Sequence, residues 1–84
     1  MNIIFSDESW DDYLYWLDVD KKIVKRINLL IKDIKRSPFT GIGKPEQLKY
    51  DLQGCWSRRI DNEHRLVYEI VKSELRIVSC RYHY

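Results

Sequence analysis

With 84 residues, 44% hydrophobic and 33% charged, the chain has enough apolar surface for one core and too little length for two, so residues 1–84 are read as a single domain. Only three Gly and two Pro exclude a disordered or low-complexity chain, and no apolar run approaches the roughly 20 residues of a membrane-spanning helix. Net charge is +2, but residues 1–20 hold six acids and no bases, residues 21–49 nine bases and two acids, and residues 50–84 six bases and five acids. A mild total charge with a basic middle points to a local anionic partner such as nucleic acid; the plainer alternative for the helical part of that run is a solvated helix face.

The opening "NIIF" is short and β-rich. It lacks the basic start and cleavage site of a signal peptide, so a cytoplasmic location is expected. Ser6 followed by Asp7 and Glu8 supplies an N-cap and a first acidic turn. In the helix that follows, Trp10, Tyr13, Leu14 and Leu17 stand at i, i+3, i+4 and i+7, which predicts one apolar stripe with Asp11, Asp12 and Asp18 facing elsewhere. Asp20 caps a second, longer helix in which Ile23, Ile27, Leu30, Ile31 and Ile34 recur at helical spacing until "SPF" stops it at Pro38. The outer face of that helix is basic, and "PFTGIGKP", with two Pro and two Gly, reads as a loop.

From Glu46 the period changes to that of strands: "EQLKYDL", "CWSRRI", "HRLVYEI" and "LRIVSCRYHY", separated by the hairpin-sized spacers "QG", "DNE" and "VKSE". The predicted architecture is α+β: an amino-terminal strand, two helices, then antiparallel hairpin strands in one sheet, with the helices on one face and the other face open. Cys55 and Cys80, far apart in apolar segments, read as reduced core residues. Neither they nor the two His have the spacing of a zinc site, and no Gly-rich phosphate loop or nucleophilic triad is present, so no metal or cofactor is expected.

Strand parity sorts the remaining polar residues. Leu66, Tyr68 and Ile70 should face the helices and turn Arg65 outward; Trp56 and Ile60 should face in and turn Arg59 outward. Arg59 and Arg65 flank one short turn and can meet across it, two guanidiniums suited to a phosphate. The plainer alternative is that they form surface ion pairs with Asp61, Glu63 or Glu69. Glu46 and Lys49 lie on the strand after the loop, and His83 and Tyr84 close the last strand, whose alternation places Ile77, Ser79, Arg81 and His83 on one side. If these strands fold beside the arginine hairpin, a carboxylate, an imidazole and several cations converge, which is what metal-free RNA cleavage needs: a base, an acid and charge for the phosphorane. His64, beside the "DNE" spacer, reads as a turn residue. The alternative on the same residues is a basic nucleic-acid-binding module without chemistry, or a DNA-binding co-repressor acting with a partner.

The stretches "SDESWDDYLYW", "DKKIVKRINLLIKD", "GKPEQLK", "WSRRI", "EHRLVY" and the terminal "CRYHY" together resemble, end to end, the Txe/YoeB toxins of the RelE superfamily. The resemblance implies a RelE-like fold and an endoribonuclease that cuts messenger RNA in the decoding site of the translating ribosome. Carried onto matching positions, it implies Glu46 as general base, His83 as general acid and Arg65 as the main stabiliser of the phosphorane, with Lys49, Arg59 and Tyr84 as substrate contacts. It also implies an inhibitory antitoxin of the YefM type and a homodimer. Cys55 stands where the family usually has a larger apolar residue, a departure that bears on local packing.

Overall fold

Side-chain caps start both helices. The structure, a computed structural model, describes residues 1–82. Ser6 accepts the Ser9 N–H at 3.1 Å and opens α1 (Asp7–Val19). Asp20 closes α1 through its own N–H to the Trp16 carbonyl, then opens α2 (Lys21–Arg36) by accepting the Lys22 and Ile23 N–H groups at 3.0 and 3.4 Å. One residue thus satisfies orphaned groups of two helices, which is why the connection between them is so short. α2 buries Ile23, Val24, Ile27, Leu30, Ile31 and Ile34 and leaves its lysines exposed, as its periodicity predicts.

Five strands form one mixed sheet in the order β1-β5-β4-β3-β2, where β1 is Asn2–Phe5, β2 Glu46–Gln47, β3 Trp56–Arg59, β4 Arg65–Val71 and β5 Glu74–Ser79. β1 runs parallel to β5 and all other pairs are antiparallel. Lys72 and Ser73 both take positive φ in the two-residue β4–β5 turn, the geometry whose twist matches a tight hairpin. The α2 stripe packs on Leu66, Tyr68, Leu75 and Ile77, the main core. The other sheet face carries a smaller cluster, Leu48, Cys55 and Val67, with Leu52 and Val78 against it. Both cysteines are free and buried. No helix among the described residues is long and apolar enough to cross a membrane.

Three expectations are corrected. In α1 the predicted stripe is not the buried face: Trp10, Leu14 and Leu17 are 47%, 43% and 43% exposed, and Ser9 and Trp16 are buried instead. The reason is hydrogen bonding. α1 lies across the end of β5, where Ser9 Oγ donates to the Ile77 carbonyl at 2.8 Å, Trp16 Nε1 to the Cys80 carbonyl at 2.8 Å, and Asp12 accepts the Cys80 N–H at 3.0 Å. Satisfying that backbone outweighs burying two leucines, and it turns Asp12 inward, contrary to expectation.

The strand expected over "EQLKYDL" stops after Gln47. Tyr50 takes φ +58° and residues Tyr50–Leu52 wind into a 3-10 turn, which lets both Leu48 and Leu52 reach the small cluster. The last strand likewise ends at Ser79, before the expected end of the chain. A register shift sets Tyr68 opposite Ile77 and Val67 opposite Ser79, so Val78 is an extra residue. The bulge breaks the predicted alternation: Ile77 and Cys80 both join the main core, three positions apart. Residues 80–82 leave the ladder, and the expectation that His83 and Tyr84 continue it lies outside the described residues.

Candidate active site

On the face of the sheet without helices, register brings Glu46, Arg59 and Arg65 together. Arg59, last in β3, stands directly opposite Arg65, first in β4, as parity predicts. Glu46, first in β2, stands opposite Ser57, so the same three strands carry it toward the arginine pair. Glu46 Oε2 lies 3.9 Å from Arg65 Nη1, with the Arg65 side chain 16% and the Glu46 side chain 58% exposed. A guanidinium so little exposed is weakly screened, while the carboxylate beside it stays open to a ligand. Within the described residues Arg65 has an ion pair with Glu46 of the neighbouring β2.

Lys49 follows on the loop after β2 and is exposed. An open depression of about 480 Å³ is lined by Gln47, Leu48, Lys49, Tyr50 and Gln53, and a neighbouring one of about 330 Å³ by Glu46, Gln47, Leu48, Lys49 and Tyr50. Glu46 borders the second. His83 and Tyr84 lie outside the described residues. The residue before them, Tyr82, is held at the arginine hairpin: its carbonyl accepts the Arg65 N–H at 3.2 Å. Among the described residues no three His, Cys, Asp or Glu side chains gather as a metal-ligating group.

Glu46 is delivered by residues 37–45, and that loop is seated by Arg58, a residue to which the sequence pattern assigns no role. Arg58 shares the inward parity of Trp56 and Ile60 and is fully buried. Its guanidinium pairs with Asp33 of α2 and donates to the Ser37, Thr40 and Ile42 carbonyls at 2.6, 2.9 and 3.1 Å and to Tyr68 Oη at 3.3 Å. Tyr68 Oη in turn donates to the Pro38 carbonyl at 2.6 Å. The Arg58 bond, with the Ile42 N–H at 3.1 Å behind it, holds the Asp33 carboxyl below the usual aspartate range against the opposing effect of burial. Burial pushes the Tyr68 hydroxyl up, so it stays a neutral donor. Gly41 is required here: it takes φ +127°, and a Cβ on it would overlap Asp33 Oδ2. The signal available in the sequence was parity alone, an arginine between two inward positions with an aspartate on the apolar side of α2.

His64 is a turn residue, as read, but it is not solvated. Asp61 Oδ1 accepts the Glu63 and His64 N–H groups at 2.8 and 2.7 Å and shapes the turn. His64 is buried, and its imidazole packs edge-on against Trp16 at 4.7 Å and accepts the Tyr82 N–H at Nδ1 at 2.7 Å. Nothing in the local sequence announces this, because both partners come from other elements.

Comparison with known proteins gives the family and the fold. Residues 5–84 match the family of YoeB-like toxins of bacterial type II toxin–antitoxin systems. The chain is 63% identical over 84 residues to the toxin YoeB of Escherichia coli K12, covering all of both chains. Its fold superposes with a TM-score of 0.92 on YoeB in the heterotetrameric YoeB–YefM complex of Staphylococcus aureus, and with 0.93 on a YoeB dimer from the same organism, each at 52% identity and covering all of this chain and 98% of the other. The fold alone extends to the RelBE2 toxin–antitoxin complex of Mycobacterium tuberculosis, at 19% identity and a TM-score of 0.71, covering 98% of this chain and 96% of that one.

Proposed function

Because this chain belongs to the YoeB-like toxins of bacterial type II toxin–antitoxin systems, we propose that it is an endoribonuclease that cuts messenger RNA in the decoding site of the translating ribosome and so stops translation. The observation that carries this reading is the convergence of Glu46, Arg65 and Arg59 on one open face, with the Glu46 carboxylate 3.9 Å from the Arg65 guanidinium. Glu46 removes the proton from a 2′-hydroxyl, and the 2′-oxygen forms a bond to the adjacent phosphorus as the bond to the 5′-oxygen breaks. His83 donates a proton to that leaving oxygen. Arg65 offsets the charge that grows on the phosphoryl oxygens, Arg59 and Lys49 hold flanking phosphates, and Tyr84 offers a ring for a base to stack on. A carboxylate, an imidazole and three cations supply the proton transfers and the charge without a metal ion.

The products are a 2′,3′-cyclic phosphate and a 5′-hydroxyl, and DNA, lacking the 2′-oxygen, is inert. Mapping the ends released from ribosome-bound message tests the reading. Glu46→Ala should lower the cleavage rate by about 10²–10⁴-fold while leaving ribosome binding intact. Equal cutting by the variant, or cutting of an all-DNA substrate, overturns it. A YefM-type antitoxin folding over the arginine face is the proposed inhibitor, and a homodimer the proposed free state. Both follow from the relatives, whose solved forms are a YoeB–YefM heterotetramer and a YoeB dimer.

A further inference from the structure

We propose that His64 is a positioning residue whose neutral imidazole anchors the backbone of Tyr82, so that the residue preceding His83 in the chain is held at a set point beside Arg65. This rests on the role proposed above for His83.

β5 ends at Ser79, and residues 80–82 leave the ladder. Tyr82 also takes φ +65°, a conformation that a bulky residue keeps only when its surroundings impose it. Two hydrogen bonds impose it here. His64 Nδ1 accepts the Tyr82 N–H at 2.7 Å, and the Arg65 N–H donates to the Tyr82 carbonyl at 3.2 Å. Successive residues of one turn thus hold both sides of one tail residue. The same backbone carries Arg65, so the phosphorane stabiliser and the origin of the tail share one support.

The chemistry of the ring is specific to this task. To accept from Tyr82, Nδ1 must carry no proton, which leaves the ring proton on Nε2; that nitrogen faces Glu63 Oε1 at 3.6 Å. Trp16 fixes the ring plane edge-on at 4.7 Å, and Trp16 is itself tied to the tail through Nε1 to the Cys80 carbonyl at 2.8 Å. On the far side the Arg81 guanidinium lies over the Tyr15 and Tyr82 rings, 3.5 and 4.6 Å from their centroids. A solvated turn histidine would show neither the burial nor the acceptor bond.

The experiment uses the full chain with two substitutions. His64→Phe keeps a flat ring against Trp16 and removes the acceptor. His64→Asn loses the ring and places an amide oxygen near the position of Nδ1. Exchange of the Tyr82 amide proton, followed by NMR, reads the anchor directly and does not depend on catalysis. It should quicken about tenfold or more in His64→Phe and slow again in His64→Asn. On ribosome-bound message, His64→Phe should lower kcat by about 10–100-fold with KM nearly unchanged, because a misplaced proton donor weakens the chemical step rather than binding, and His64→Asn should restore much of it. A Tyr82 amide as protected in His64→Phe as in the parent overturns the anchor. Lost protection with unchanged kcat overturns the positioning role. A parent protein that cuts no RNA refutes the proposed function instead, and the exchange of the Tyr82 amide still decides whether His64 holds the tail.

Discussion

Arg58 and Arg59 are neighbours of the same residue type in one strand, yet they sit in opposite environments. Arg58 points to the helix side, is fully buried, and meets a carboxylate, three carbonyls and a tyrosine oxygen. Arg59 points to the open side and faces Arg65 across the hairpin. The pleat alone makes this difference, since successive side chains of a strand leave on opposite faces. A buried guanidinium must have its donors satisfied or unfold the domain, whereas the two guanidiniums on the face without helices, with Glu46 beside Arg65, remain attractive to an anion. Sequence proximity thus says little about role, and strand parity says a great deal.

The sharpest test of the comparison removes one cation from each face. Arg65→Ala should lower cleavage of ribosome-bound message by about 10²–10³-fold, the usual effect of losing one charge stabiliser, while a thermal melt stays near the parent's. A large fall in Tm would mean that the open face is structural after all. Arg58→Met should do the reverse in kind. It leaves Asp33 buried without its partner and three carbonyls unpaired, and Tm should drop on the order of 15 °C in a calorimetric scan. A variant melting with the parent would show that residues 37–45 are held by something other than the Arg58 hydrogen bonds.

Acid should erode the buried side selectively. The Asp33 carboxyl is held below its ordinary value in the folded state, so its contribution is complete above the ordinary aspartate pKa of about 3.9 and is lost as pH falls through the lower, folded value. The Tm gap between the parent and Asp33→Asn should therefore be widest near neutrality and narrow below about pH 4. A gap independent of pH would contradict the pairing. The smallest effect is expected on α1, where Leu14→Ser changes an exposed position and should move stability by no more than about 0.5 kcal/mol in denaturant titration. A loss several times larger would restore the apolar stripe as a buried face.

The local features were legible in the amino-acid string. Ser6 and Asp20 are caps by residue type and position, the isoleucines of α2 declare their face by period, and two Pro with two Gly mark residues 37–45 as a loop. Parity in β3 and β4 was enough to put Arg59 and Arg65 on one face, because both flank the same turn. Each of these depends on residues within a few positions of one another, where the geometry of a single helix or hairpin is the only constraint. The buried face of α1, the early end of β2, the bulge at Val78, the Arg58–Asp33 pair and the anchoring of Tyr82 by His64 were settled by the tertiary structure. All five depend on contacts between elements: the early end of β2 serves the packing of Leu48 and Leu52, and the face of α1, the Arg58–Asp33 pair and the His64–Tyr82 bond follow the rule that a buried donor or acceptor must find a partner wherever the fold supplies one, even at the expense of the local pattern.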